Sequence, residues 1–252
     1  MGRLSKRMEA VAALVTSKGV LADVGTDHAY VPIALAESGR IRRAIAMDIG
    51  EGPLSRAQAN IEAAGLTEQI ETRLSDGLAE LAPGEAECIL IAGMGGELIL
   101  RILTEGQAVC GRAKELVLQP QSDIPKVRKY LRLHGYQIEA ENLVCEDGKF
   151  YPMMRAAHKN GGHADNEHCR PLLEDLYGPV LLRERHPQLL CCLEREKCEL
   201  ERILEQLGGQ TASEKIAGRI QEVRERLRLN RQAHRICSGQ ALPCKPYGSG
   251  NT

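Results

Sequence analysis

The stretch GVLADVGTDHAYVPIALAESG, residues 19–39, decides how the rest of the chain is read. An apolar run ends at Asp23 and Gly25, a polar loop follows, and an apolar helical pattern begins at Tyr30 and closes at Gly39. That is strand, loop and helix. A loop built for a dinucleotide carries G-x-G-x-x-G, so that the pyrophosphate meets bare backbone at a helix N-terminus. This loop has one glycine, Gly25, and two carboxylates, Asp23 and Asp27. Carboxylates repel a pyrophosphate and favour a cation.

Outward from this unit the alternation repeats. Upstream, Leu4, Met8, Val11, Ala12 and Val15 recur at helical spacing and predict a first helix. Downstream, RRAIAMD (42–48) is a second strand ending at Asp48. Pro53 suits the first turn of the next helix, where its missing N–H costs nothing. Leu54, Ala57, Ile61 and Ala64 share one face of that helix, and Gly65 ends it. QIETRL (69–74), ECILIAG (87–93) and ELVLQP (115–120) are three more strands, with helical patterns after the last two. YQIEAENLVCEDGKFYPMMRAA (136–157) reads as two strands around Asp147-Gly148, a strong hairpin signal. The pattern predicts an α/β fold: a mostly parallel, doubly wound sheet closed by an antiparallel hairpin. Ligands of such sheets bind at the carboxyl ends of the strands. Asp23, Asp48, Asp76, Gly93 and Gln119 should therefore gather on one edge.

The residues at that edge carry a chemistry. A carboxylate at Asp48 can accept both hydroxyls of a ribose, and one at Asp76 can accept from an adenine amino group. Three acids at three successive strand ends, with a glycine-poor first loop, favour S-adenosylmethionine (SAM), whose ammonium and sulfonium groups are cationic. The stretch ILIAGMGGELI (89–99) is not a phosphate-binding P-loop, because no Gly-Lys-Ser/Thr follows Gly96. Its glycines let backbone carbonyls approach a cofactor and a flat base without a Cβ in the way. Met94, Gly95 and Gly96 are thus candidate substrate contacts, although a tight strand-to-helix turn would use the same glycines.

Five motifs now stand in order at predicted strand ends: LADVGTDHAYVP (21–32), SDGL (75–78), AGMGG (92–96), LQPQ (118–121) and GKFYP (148–152). Together they resemble the TrmK family of bacterial class I SAM-dependent methyltransferases, which act on N1 of adenine 22 in tRNA. The resemblance covers residues 3–158 and continues more loosely beyond. It implies a Rossmann-like sheet and SAM contacts from Asp23, Gly25, Thr26, Asp27, His28, Asp48, Ile49, Asp76 and Gly77, with the Ala92–Gly93 backbone. In the wider class, glycines stand where this chain has Asp27 and Ala29. N1 of adenine already carries a lone pair, so catalysis is mainly in-line positioning in a dry site. Gln119 is a candidate for holding the base edge; Tyr30, Phe150 and Tyr151 are candidates for stacking on it. Asp27 is a candidate for easing the positive charge of the product.

Charge is uninformative for the whole chain, at net −1, but not for its parts. Residues 1–158 hold 18 basic and 21 acidic side chains, whereas residues 159–252 hold 15 and 13. The stretch 159–170 is a linker by composition. His163, His168 and Cys169 lie close together in it, but no second ligand pair completes a metal site. Residues 171–238 are expected to form a coiled-coil helical hairpin. Leu189, Leu193, Leu200, Ile203 and Leu207 keep heptad spacing, Gly208-Gly209 breaks it, and Ile216, Ile220, Val223 and Leu227 resume it. Arg219, Arg224, Arg226, Arg228 and Arg231 form a basic stripe there that can meet tRNA phosphates, or serve only as a solvated face. Residues 239–252 read as a disordered tail.

Nine cysteines without a CxxC pair fit reduced thiols in the cytoplasm. The longest N-terminal apolar run, Ala10 to Val15, is too short for a signal or membrane segment. The expectation is a monomeric, metal-free tRNA methyltransferase that needs SAM. Three alternatives stay open: an inactive RNA-binding scaffold of the same fold, a methyltransferase for another nucleobase, and a nicotinamide-dependent oxidoreductase.

Overall fold

The computed structural model describes residues 4–158, 171–209 and 213–239. The expected linker and nearly all of the expected tail lie outside these residues. The chain divides into two compact units, with the boundary after Val180.

The first unit runs α1 (Lys6–Leu14), β1 (Val20–Val24), α2 (Tyr30–Glu37), β2 (Arg43–Asp48), α3 (Glu51–Ala63), β3 (Ile70–Leu74), β4 (Cys88–Met94), α4 (Gly96–Glu105), α5 (Gln107–Cys110), β5 (Glu115–Pro120), α6 (Ile124–Leu133), β6 (Tyr136–Glu146), β7 (Lys149–His158) and α7 (Pro171–Tyr177). A short helix, α8 (Pro179–Arg183), spans the boundary. The seven strands form one sheet in the order β3-β2-β1-β4-β5-β7-β6. The first five strands are parallel, and β7 pairs antiparallel with both β5 and β6. This is the Rossmann-like arrangement expected, with its reversal of strand order between β1 and β4.

Helices cover both faces, which is why the central strands read as nearly continuous apolar runs rather than alternating. Along β1, Ala22 and Val24 join the core shared with Ile99, Leu103 and Leu131, while Leu21 joins the core shared with Val11, Ile33 and Ile61. The period of two in the strand thus feeds two separate cores. At the β6–β7 turn, Asp147 (φ 50°) and Gly148 (φ 73°) are both left-handed, as a two-residue hairpin turn requires.

The stretch expected as one hairpin, 171–238, is divided. Helix α7 packs on α6 in the first unit. Arg128 explains the docking. Its Nε donates to Glu141 Oε1 at 2.9 Å, and its Nη1 reaches the carbonyls of Asp175 and Leu176 at 3.2 and 3.1 Å. Glu141 Oε2 in turn accepts from the Val180 N–H at 2.9 Å. Arg128 and Glu141 are both buried, so the pair is a fixed anchor and not a surface bridge.

The second unit contains α9 (Pro187–Gly208) and α10 (Glu214–Ser238). Asn230 donates to the Leu193 carbonyl at 3.0 Å, and Arg226 Nε donates to Glu196 at 2.7 Å. Partners retreat along α10 as α9 advances, so the helices are antiparallel. Leu189, Leu193, Val223 and Leu227 are buried between them, as the heptads predict. Asn230 is fully buried in that seam, and among the described residues its Oδ1 finds no partner. A lone polar residue of this kind costs stability and fixes the register of the two helices.

Candidate active site

At the carboxyl end of the sheet lies a cleft of about 580 Å³. Its walls come from β1 and the loop after it (Asp23, Gly25, Thr26, Asp27, His28), from Tyr30 and Val31, from Ala92 and Gly93 on β4, from Gln121, and from the N-terminal segment. The parallel register explains the grouping. Val24 lies level with Met47 and Ile91, so the loops after β1, β2 and β4 leave the sheet side by side.

Asp23 is the floor. It is 7% exposed, and among the described residues its carboxylate meets one donor, the Thr26 hydroxyl at 2.6 Å. Burial pushes its pKa up to about 6; the Thr26 hydrogen bond opposes that rise, and the nearby Asp48 charge adds to it. A buried carboxylate without a cationic partner is an arrangement a bound cation would relieve.

The loop above it is strained. Asp27 (φ 43°) and Ala29 (φ 56°) both take the left-handed conformation, at the positions where the wider class has glycine. The chain therefore keeps a glycine-like loop with side chains that ordinarily avoid it. Gly25 (φ 76°) shares the left-handed conformation, and a Cβ added there would require the Met94 methyl group to move. Met94 itself is half-buried and packs against the core that Val24 and Ile91 share.

Beside the floor, the loop is held by hydrogen bonds from the Gly25 and Thr26 N–H groups to the Met47 carbonyl, at 2.8 and 3.0 Å. Asp48 follows at once. Its Oδ1 accepts the Gly50 N–H at 2.8 Å, which aims the carboxylate and leaves Oδ2 free of that bond. Ile49 is 68% exposed beside it. Asp76 lies at the end of β3, but Arg101 binds both of its oxygens, at 2.9 and 3.4 Å. Gly77 (φ 59°) packs against Ile102. Asp48, Ile49, Asp76 and Gly77 thus form the open edge next to the cleft, while the residues of β1 and β4 form its walls.

The expected catalytic residues fare differently. Tyr30 is 48% exposed at the cleft wall, with its ring stacked on His28 at 5.0 Å and 9°. Asp27 lines the cleft, but it is bound by Arg56 at 2.5 Å and approached by His28 at 3.4 Å. Gln119 departs from expectation. It is fully buried, its Oε1 accepts from Arg7 Nη1 at 2.7 Å, and its Nε2 donates to the Pro120 carbonyl at 3.2 Å. Fully buried and bonded at each end inside the protein, it presents no exposed edge to the cleft in this structure. Tyr151 is likewise engaged, its ring covered by the Arg7 guanidinium at 5.3 Å from the centroid.

Of the glycine loop, Gly93 (φ 81°) needs its conformation, and Gly95 is exposed. Gly96 is buried for packing, because an added Cβ would strike the Ser122 carbonyl. Packing against the Ser122 backbone is thus sufficient to require glycine at position 96.

Leu4, Ser5, Arg7, Met8 and Gln121 complete the cleft and were not anticipated. The apolar spacing of the first helix marks it as packing, and nothing local marks Arg7 as facing a site.

The stripe on α10 is mostly paired. Arg226 is half-buried against Glu196, which makes it a brace between the helices. Arg219 and Arg228 pair with Glu222 and Glu225 within the helix, and Arg231 approaches Glu201 at 3.4 Å. Such exposed pairs are worth little and open readily to a phosphate. Arg224 is exposed with no partner among the described residues.

Residues 4–154 match the methyltransferase-domain family. The tRNA (adenine(22)-N(1))-methyltransferase of Bacillus subtilis (strain 168) is 33% identical over 229 residues, 90% of this chain and 95% of that protein. The chain belongs to the TrmK family. Among solved structures, a putative tRNA (m1A22) methyltransferase of Streptococcus pneumoniae in complex with SAM superposes with a TM-score of 0.77 at 36% identity, covering 92% of this chain and 100% of that one. TrmK of M. capricolum with S-adenosyl-homocysteine gives 0.78 at 28%, covering 93% and 99%. TrmK proteins thus share the whole described architecture, hairpin included. No helix among the described residues is long and apolar enough to cross a membrane.

Proposed function

We propose that this chain transfers the methyl group of SAM to N1 of adenine 22 in bacterial tRNA, acting as a monomer in the cytoplasm. The observation that carries the reading is Asp23: a buried, singly bonded carboxylate on the cleft floor of a TrmK-family chain. The residues present fit SAM. Asp23 lies where a cationic amino-acid arm would neutralise it. Asp48 offers a ribose an oxygen left free by Gly50, and exposed Ile49 gives an adenine ring an apolar seat. SAM supplies an electrophilic methyl group.

The protein's part is positioning. The His28–Tyr30 stack offers an aromatic face to the incoming base, and the backbone at Ala92–Gly93 can approach it closely. The N1 lone pair needs no base to attack. Asp27, already shared with Arg56, moderates the positive charge left on the product. Gln119 has no part in holding the base in this reading, because it is buried.

Asp48→Ala is expected to weaken SAM binding by roughly 2–3 kcal/mol, the loss of a charge-assisted pair of hydrogen bonds, with the fold intact. Titration calorimetry on the folded variant checks this, and wild-type affinity would remove Asp48 from the site.

The test of the function as a whole is methylation of tRNA transcripts, with mapping of the modified base. Loss of signal when adenine 22 is changed to guanine supports the reading. Binding without turnover would favour the inactive scaffold, and a different mapped position would favour another nucleobase. In the same reading the hairpin unit grips tRNA. Replacing Arg224, Arg228 and Arg231 with Gln should weaken tRNA binding and flatten its dependence on salt, because fewer counterions are released. Equal slopes for variant and wild type would reduce the hairpin to a brace.

A further inference from the structure

The first helix does more than pack. Arg7 lines the cleft together with Asp23, Gly25 and Tyr30, although its nearest tertiary partners are 112 and 139 positions away in sequence. Three contacts fix it. Gln119 Oε1 accepts from Nη1 at 2.7 Å, the Tyr151 ring lies under the guanidinium, and the Arg7 backbone N–H approaches Glu146 at 3.5 Å. Gln119 is neutral and fully buried. It orients the guanidinium without cancelling its charge.

Among the described residues, Arg7 has no acidic side chain as an ion-pair partner. A guanidinium carries five N–H donors, and Gln119 uses one. The remaining donors do not stand alone. A Cβ placed on Gly93 would lie 3.7 Å from Arg7 Nη1 and 3.9 Å from Gln121 Nε2. A cation and an amide donor therefore converge above a bare stretch of β4 backbone, on the wall of a cleft whose floor is the carboxylate of Asp23. Donors and an anion on one lining describe a site with two poles. The Asp23 pole takes a cation. The Arg7 pole takes an oxyanion.

We infer that Arg7, oriented by Gln119 and joined by Gln121, is an oxyanion seat in the methyl-transfer cleft. The inference rests on the proposed function and deepens it. Two oxyanions enter such a cleft: the carboxylate of the cofactor's amino-acid arm and a backbone phosphate beside the target adenine. Both bind a guanidinium by the same charge-assisted, bidentate geometry. Arg7 is the binding residue, and Gln119 is a positioning residue that acts through it. This assignment also accounts for a polar glutamine that follows the apolar run Leu116, Val117 and Leu118 of β5.

The experiment compares wild type, Arg7→Gln, Arg7→Lys and Gln119→Leu. Affinities are measured by calorimetry for SAM and for decarboxylated SAM, and steady-state kinetics are measured with a tRNA transcript. If the seat holds the cofactor carboxylate, wild type prefers SAM over the decarboxylated form by about 10-fold or more, and Arg7→Gln loses that preference. If it holds a phosphate, Arg7→Gln leaves both cofactor affinities unchanged and raises KM for tRNA by a similar factor. In either case Arg7→Lys recovers part of the loss, because charge is kept while the planar fork is not. Gln119→Leu shifts the same quantity as Arg7→Gln, in the same direction. Wild-type values for Arg7→Gln in both assays would overturn the seat and leave the methyltransferase reading standing. A wild-type protein that binds neither SAM nor tRNA would overturn that reading and the seat with it.

Discussion

Asp23→Asn is expected to weaken SAM binding by a factor on the order of 100 while making the cofactor-free protein more stable at neutral pH. The two effects share one cause. Asp23 is buried, and its folded pKa of about 6 stands above the ordinary value of 3.8. Between those values the folded state holds a proton that the unfolded chain has released. Stability therefore falls as pH rises from about 4 to about 6, and the full penalty is present at pH 7, at most about 3 kcal/mol for a shift of this size. Asparagine keeps an acceptor for the Thr26 hydroxyl and removes the charge. The thermal midpoint of the variant should exceed that of wild type at pH 7.5, and the gap should close near pH 4. SAM affinity of the wild type should run the opposite way, declining as pH drops below about 6 and the carboxylate that meets the cation is protonated. Thermal melts and calorimetry across that range measure both. A variant that is less stable at pH 7.5 and still binds SAM would remove Asp23 from the cofactor site.

The second large effect lies away from the cleft. Arg128→Met should cost about 3–5 kcal/mol of stability, because it leaves Glu141 charged and buried and strips donors from two carbonyls. Adding Glu141→Gln should recover much of that loss. Glutamine still accepts the Val180 N–H, and no charge is left stranded. Denaturant unfolding of the two variants measures the coupling. If the single variant unfolds at the wild-type midpoint, Arg128 is not the anchor of the segment 171–180. Proteolysis within α7 should also quicken in the single variant, since Asp175 and Leu176 are held by the same guanidinium.

Most of the sheet was legible because it obeys local rules. Apolar runs ended in acids, glycines followed helices, and Asp147-Gly148 announced its turn. The acids at Asp23 and Asp48 could be assigned for the same reason: a strand end in an open parallel sheet points to one edge whatever the distant chain does. What failed to show depended on partners far away in sequence. Gln119 ends a strand like the others, yet a side chain from the first helix closes over it. Gly96 belongs to a glycine run that reads as one loop, yet it is fixed by the Ser122 backbone. The segment 171–180 has the composition of the hairpin that follows, and distant contacts from Arg128, Arg132 and Glu141 tie it to the first unit. The arginines of α10 were countable, but their pairing with glutamates of α9 and of α10 itself was not.

The seating of the first helix bears on the order in which the protein can be made. Arg7 meets Gln119, Glu146 and Tyr151, and α1 packs on β5, β6 and β7, so an element synthesised before any strand rests on the latest strands of the sheet. During translation α1 can meet α2 early, but its seat on β5, β6 and β7 is complete only once β7 has left the ribosome. A nascent chain can pair β1 with β2 and β4 while one wall of its cleft is still missing. The last strand thus acts as a completion signal, and an unfinished enzyme on the ribosome, surrounded by RNA, has no finished site with which to handle it.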